Sequence, residues 1–278
     1  MLFHLVFQLW ILKMHLIFVF LCLVASSQAF LFGKTPYPDW DELSVTFMKY
    51  SGLPKTEEDA RKEGWTAIGD GCVTGTFYKG RRYEGPGSKN INNLLYDLNG
   101  NVAGIQTKFE ADFTVPGSFN KTHVKEGNKI VLTAYFTNPN TICSRNRTTT
   151  PGYIGDNLYL PMENGPVKIP LKESDLVSGD NKWVKGRCFY GMGQHYWYDV
   201  TKNMDCDDFG PWFLLYNGGN LNAFGFAGVG NIVNEYVEHP TFDTMQHFFR
   251  EKPLCLKEYP HLSTQHIYLQ RRPHFNFC

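Results

Sequence analysis

Six of the chain's nine histidines lie beyond residue 194, at His195, His239, His247, His261, His266 and His274. An imidazole can move a proton near neutral pH or ligate a metal, zinc and copper above all. The run Gln194-His195-Tyr196-Trp197-Tyr198-Asp199 reads as a strand, which would put His195, Trp197 and Asp199 on one face. His195, His239 and His266 are the candidate metal ligands or acid–base groups. None stands in H-x-H or H-E-x-x-H spacing, so the competing reading is structural histidines bonded to tyrosine, carbonyl or carboxylate. That reading requires no cofactor; the first requires copper or zinc. Tyr196, Trp197, Tyr198 and Asp199 form a candidate ligand surface able to stack on sugar rings, although such alternation also suits ordinary core packing.

Other constellations carry less. Asp205-Cys206-Asp207-Asp208 is a carboxylate cluster without the spacing of a calcium loop, and a solvated acidic turn accounts for it. Gly69-Asp70-Gly71 and Gly191-Met192-Gly193 lack the strand–turn–helix setting of a phosphate loop. No serine stands in G-x-S-x-G.

These groups must be positioned by a chain that is expected to be exported. Residues 1–29 read as a signal peptide: an apolar run from Leu16 to Ala25 is followed by Ser27-Gln28-Ala29, with Met1 or Met14 as the start. An anchor helix is the alternative, and the small residues at the cleavage site favour removal. Asn120-Lys121-Thr122 and Asn146-Arg147-Thr148 are glycosylation acceptors that fit the same route. Beyond the leader stand Cys72, Cys143, Cys188, Cys206, Cys255 and Cys278, an even number expected to form three disulfides. Charge is balanced at 27 basic and 27 acidic residues, and Lys13 departs with the leader. A neutral chain offers no field for nucleic acid or for an anionic membrane surface.

Local pattern divides the mature chain. Residues 30–64 read as an N-terminal helical segment, with a capping box at Asp39 to Glu42 and a helix from Thr56 to Glu63 stopped by Gly64. A first β module follows at 65–143, a connector rich in Thr, Pro, Gly and Asn at 144–182, and a second β module at 183–278. The connector holds a hairpin candidate, Leu158-Tyr159-Leu160 with Val167 to Leu171. Within the second module, Pro240 to Arg250 reads as a helix with Phe242, Met245 and Phe249 on one face.

The two modules look alike. Each runs cysteine, Leu-Leu-Tyr (94–96 and 214–216), an Asn/Gly turn, a return strand, a final strand, proline and cysteine. A divergent tandem repeat would explain this, and so would two ordinary hairpins sharing a common turn. Under the repeat, Cys72–Cys143 and Cys188–Cys278 would be equivalent bridges and Cys206–Cys255 would pin insertions private to the second half. Aligning the final strands sets His266 opposite Ala134, on the alternation that carries Ile130, Leu132 and Phe136.

At the blocks GQHYWYD, MDCDDF, LLYNGGNLNAFGF and LSTQHIY the chain resembles a loose group of uncharacterised secreted invertebrate, mollusc-like extracellular proteins. The resemblance spans most of the mature chain. It implies export and a shared fold and transfers no activity.

The expected fold is α+β and mainly antiparallel β: two related disulfide-bracketed β-hairpin modules with a few short helices, packed as one globular unit. The expected role is that of a secreted, disulfide-bonded glycoprotein binding an extracellular ligand or matrix component, carbohydrate among them, with no nucleic-acid partner and no membrane after signal cleavage. A secreted copper or zinc enzyme using the second-module histidines is one alternative, and a toxin or defence protein another.

Overall fold

Among the described residues the first elements are a hairpin, β1 (Ser44–Val45) and β2 (Ser51–Gly52), and helix α1 (Glu57–Lys62). Then come β3 (Thr66–Thr74), β4 (Lys79–Glu84), β5 (Asn92–Tyr96), β6 (Val102–Glu110), a short β7 (Val124–Glu126) and β8 (Lys129–Tyr135). The second half runs in the same order. A hairpin of β9 (Leu158–Met162) and β10 (Gly165–Ile169) precedes helix α2 (Glu173–Ser178). The strands β11 (Trp183–Phe189), β12 (Gly193–Tyr198), β13 (Trp212–Asn217), β14 (Asn220–Val229) and β15 (Leu262–Tyr268) follow, with a single helical turn α3 (Phe242–Met245) before the last. The structure, a computed structural model, describes residues 40–110, 124–145, 147, 153–210, 212–259 and 262–278. The signal segment and both sequon asparagines, Asn120 and Asn146, lie outside the described residues. Among the described residues no helix is long and apolar enough to cross a membrane.

Two antiparallel sheets result. One has the order β10-β9-β8-β6-β5-β4-β3 with β7 beside β8, the other β11-β12-β13-β14-β15-β1-β2. Each five-strand meander is therefore completed by the leading hairpin of the opposite half. β1 pairs with β15 through Ser44 and Tyr268, and β9 pairs with β8 through Tyr159 and Tyr135.

The inner faces pack on each other. Leu94, Tyr96, Ile105 and Ala134 of one sheet share a buried cluster with Leu214, Tyr216, Phe224 and Ile267 of the other. Phe109 stacks on Phe226 at 6.1 Å between ring centroids, which ties the sheets by direct aromatic contact. One polar seam crosses this core. Thr107 Oγ1 donates to Gln265 Oε1 at 2.6 Å, and Gln265 Nε2 donates to Asn92 Oδ1 at 3.2 Å. Their mutual bonds remove the penalty of burying amides away from water.

The strand registers of the halves correspond in detail. Bulges fall at matched places, after Leu95 and after Leu215 in the central hairpins and ahead of Val73 and Cys188 in the outer ones. Tyr96 donates to the carbonyl of Pro54 at 2.9 Å, and Tyr216 donates to that of Pro170 at 2.6 Å. Gly80 and Gly193 share a φ near +113°, and a Cβ there would come within 3.0 Å or less of the carbonyl oxygen of Tyr96 or Tyr216. Only glycine meets both demands. The bridges Cys72–Cys143, Cys188–Cys278 and Cys206–Cys255 all form, in the pairing that the modular comparison predicts.

Several sequence-based expectations change. Residues 40–43 adopt no helix; they lead into β1, so the described part of the 30–64 segment contributes a hairpin besides α1. That helix is capped as its composition predicts, Thr56 Oγ1 accepting from the Asp59 amide at 3.1 Å. The 144–182 connector is an integral part of both halves, since β9 and β10 extend the first sheet and α2 leads into the second. Helix formation between 240 and 250 is limited to the single turn α3, with Pro240 and Pro253 closing off both flanks. The final-strand alignment moves by one residue. Gly104 pairs with Tyr135 as Ala223 pairs with Tyr268, so His266 matches Thr133 rather than Ala134. A one-residue slip exchanges faces: His266 points away from the inter-sheet core.

Candidate functional site

The outer face of the second sheet carries its own buried apolar cluster, including Trp197, Phe213, Leu215, Met245, Phe248 and Phe249. Alternation along β12 sends His195 and Trp197 to this side, while Tyr196 turns into the inter-sheet core. β13 adds Phe213 and β15 adds Thr264 and His266. Gly225 on β14 leaves the room that the Phe213 ring occupies, since a Cβ there would lie 2.3 Å from Phe213 Cζ.

The segment between β14 and β15 folds over this face as a cover. Its first fastening is an isolated bridge in which the Glu238 and Thr264 backbones exchange hydrogen bonds of 2.8 and 2.9 Å. Trp197 Nε1 donates to the Phe248 carbonyl at 3.2 Å, and Arg187 Nε donates to that of Phe249 at 2.9 Å. Trp197 also stacks on Phe249, ring centroids 4.0 Å apart. The Cys206–Cys255 bridge ties the far end of the cover to the loop that joins β12 and β13.

Between cover and sheet lies a cavity of about 330 Å³. Phe47, from the loop joining β1 and β2, closes one side, and Phe189, Phe213, Phe248 and Trp197 supply most of the remaining wall. His195, His239 and His266 all line it, so the three histidines singled out in the sequence meet at one place.

Each ring nevertheless has its own protein partner. His195 Nδ1 stands 3.1 Å from the Arg187 carbonyl and His239 Nε2 stands 3.2 Å from that of Ile232. His266 Nδ1 lies 3.1 Å from Glu238 Oε1. Glu238 is itself held in place: Oε1 accepts from the Phe47 amide at 2.6 Å and Oε2 from Thr264 Oγ1 at 3.1 Å. Burial, and after it the proximity of His266, push the His195 imidazole down to about 3, so this ring is neutral at physiological pH. The His195 and His266 ring centroids are 6.5 Å apart. Among the described residues no group of three or more His, Cys, Asp or Glu side chains is placed to hold a metal ion.

The aromatic quartet does not form one surface. Tyr196 is buried in the core, its hydroxyl donating to Glu173 Oε1 at 2.7 Å, and Tyr198 packs edge-on against Trp183. Asp199 takes a positive φ at the strand's end and pairs with Lys182 at 2.6 Å. Trp197 alone of the four lines the cavity. The Asp205 to Asp208 cluster forms an exposed turn in which the Asp205 side chain accepts from the Asp207 amide at 2.9 Å.

Sequence reading missed Phe47, Phe189, Phe248 and Glu238. The acid was adjacent to a flagged histidine, His239, and could have been found there. Phe47 had no local signal, because it reaches the cavity only through the pairing of β1 with β15. No protein-family model, curated protein or solved structure matches the chain.

Proposed function

We propose that this is an extracellular binding protein that captures a small, largely apolar molecule in the cavity beneath the 230–258 cover. The observation that carries this reading is the aromatic-walled cavity itself. About 330 Å³ walled by Phe47, Phe189, Trp197, Phe213 and Phe248 lies within the size range of small-ligand sites and has their apolar character. Three disulfides support an oxidising compartment, and the amino-terminal leader and the two sequons fit the same assignment. The matched registers of the halves support descent from one duplicated module, the second copy having acquired the cover, the extra bridge and the pocket.

Trp197 in the wall provides the readout. Titration with the neutral dye N-phenyl-1-naphthylamine is expected to give saturable one-to-one uptake, with energy transfer from tryptophan to dye. Thr244→Trp, which adds bulk at an exposed position on the cavity lining, is expected to reduce that uptake at least tenfold. Absence of saturable uptake by the wild-type chain would overturn the reading.

A further inference from the structure

We propose that the molecule taken up in this cavity is a small protonated amine with an aromatic or alkyl body, its charge set against Glu238. This rests on the cavity being the binding site.

The first observation is a closed circuit of rings. Phe47 contacts Phe189 at 5.8 Å between centroids, Phe189 contacts Phe248 at 5.1 Å, and Phe248 contacts His195 at 5.2 Å. His195 then meets Phe213 at 6.1 Å, Phe213 meets His266 at 4.9 Å, and His266 returns to Phe47 at 6.2 Å. All six rings line the cavity. Aromatic faces are negative at their centres, so a ring of such side chains favours a cation seated over a face and resists an anion there.

The second observation concerns the polar atoms. A carbonyl or carboxylate oxygen can only accept, so the ring nitrogens facing Arg187, Ile232 and Glu238 must carry the protons. In the neutral His195 ring the nitrogen left over is an acceptor. Thr264 spends its hydroxyl proton on Glu238, and the Phe47 amide is committed there too. The protein's donors beside Glu238 are thus already committed, and a ligand that reaches this carboxylate must bring donors of its own.

The third observation is the carboxylate. Glu238 is largely buried, and among the described residues its one ion-pair contact is His266, with no lysine or arginine in reach. A carboxylate in an apolar setting, with no lysine or arginine beside it, favours a positive partner. An ammonium group supplies both the charge and up to three donors. A carboxylate ligand would meet repulsion, and a neutral hydrocarbon would fill the walls while leaving Glu238 further desolvated.

The test is a series on the full mature chain with 3-phenylpropylamine, 3-phenylpropanol, 3-phenylpropanoate and butylbenzene at neutral pH, read by calorimetry and by displacement of the naphthylamine dye. The amine is expected to bind at least tenfold more tightly than the alcohol, and the carboxylate most weakly. Glu238→Gln should bring the amine-to-alcohol ratio within about threefold of unity. An alcohol or carboxylate equal to the amine on the wild-type chain would overturn this inference and leave the binding reading standing. Failure of the dye and all four probes would remove both. The wild-type series decides the matter if Glu238→Gln does not fold.

Discussion

The two sheets present outer faces built on the same strand plan, each with an apolar cluster, and differ in chemistry at five matched positions. Strand register aligns them residue for residue: where the second sheet has His195, Trp197, Phe213, Gly225 and His266, the first has Arg82, Glu84, Asn93, Gln106 and Thr133. The first face is a lattice of fixed bonds. Arg82 forks onto both oxygens of Glu126 at 2.8 Å, Lys108 pairs with Glu84, and Gln106 Nε2 donates to Thr133 Oγ1 at 3.0 Å. Every one of these groups answers another on its own sheet. The second face instead offers rings to a covering segment that brings Glu238 with it, and a cavity remains between the two. Backbone architecture is therefore not what makes a site here. The cavity lies where side chains that bond one another across strands on the first sheet are replaced on the second by rings that pack against the cover.

Truncation should separate the faces most sharply. Trp197→Ala removes a buried ring stacked on Phe249 and is expected to cost about 3–5 kcal/mol. Its counterpart Glu84→Ala breaks a half-exposed ion pair and should cost about 1 kcal/mol or less in urea melts. Equal losses would break the comparison.

Acid comes next. His195 stays neutral in the fold down to about pH 3, whereas an unfolded histidine takes up its proton near pH 6.5. The unfolded state then binds the additional proton, so the His195 contribution to stability is intact above pH 6.5 and falls as pH drops towards 3, by up to roughly 4 kcal/mol. A His195→Gln chain should show a flatter stability profile between pH 6.5 and 3 than the wild type, and an unchanged slope would count against the buried neutral ring.

A smaller effect is expected from the private bridge. Cys206→Ser with Cys255→Ser should lower stability by about 2–4 kcal/mol. Faster hydrogen exchange should be confined to residues 230–258 and absent from β4 to β6. Loosening that spread evenly over both sheets would mean that the cover is not a separate addition.

Much of this was legible from residue types. Given a repeat, the cysteine order and the Leu-Leu-Tyr block pair Cys72 with Cys143 and Cys188 with Cys278 and leave Cys206 for Cys255, because a matched block carries its flanking cysteines with it. Gly218 and Gly219, both at positive φ between the paired Asn217 and Asn220, form the tight two-residue turn expected from the sequence. At Asn99-Gly100 only the glycine has positive φ, and the Asp97 carboxylate organises the loop by accepting from the amides of Asn99 and Asn101. The side-chain bond replaced the turn that the dipeptide alone suggests. The histidines converged as their common half implied, yet the face of His266 was misread. Nothing in the residues of β15 marks where its register lies against β14. Phe47 was out of reach for a similar reason: pairing across most of the chain's length leaves no trace in a local window.

The exchanged leading hairpins carry a last consequence. A half excised with its own hairpin would take strands that belong to its neighbour's edge and leave its own meander open along one side. Neither half is then a fragment that can be made and studied alone. A single cut between β8 and β9 should yield two pieces that travel together until denaturant parts them. Whatever settles into the cavity of one sheet would, by the same interlock, raise the melting temperature of both.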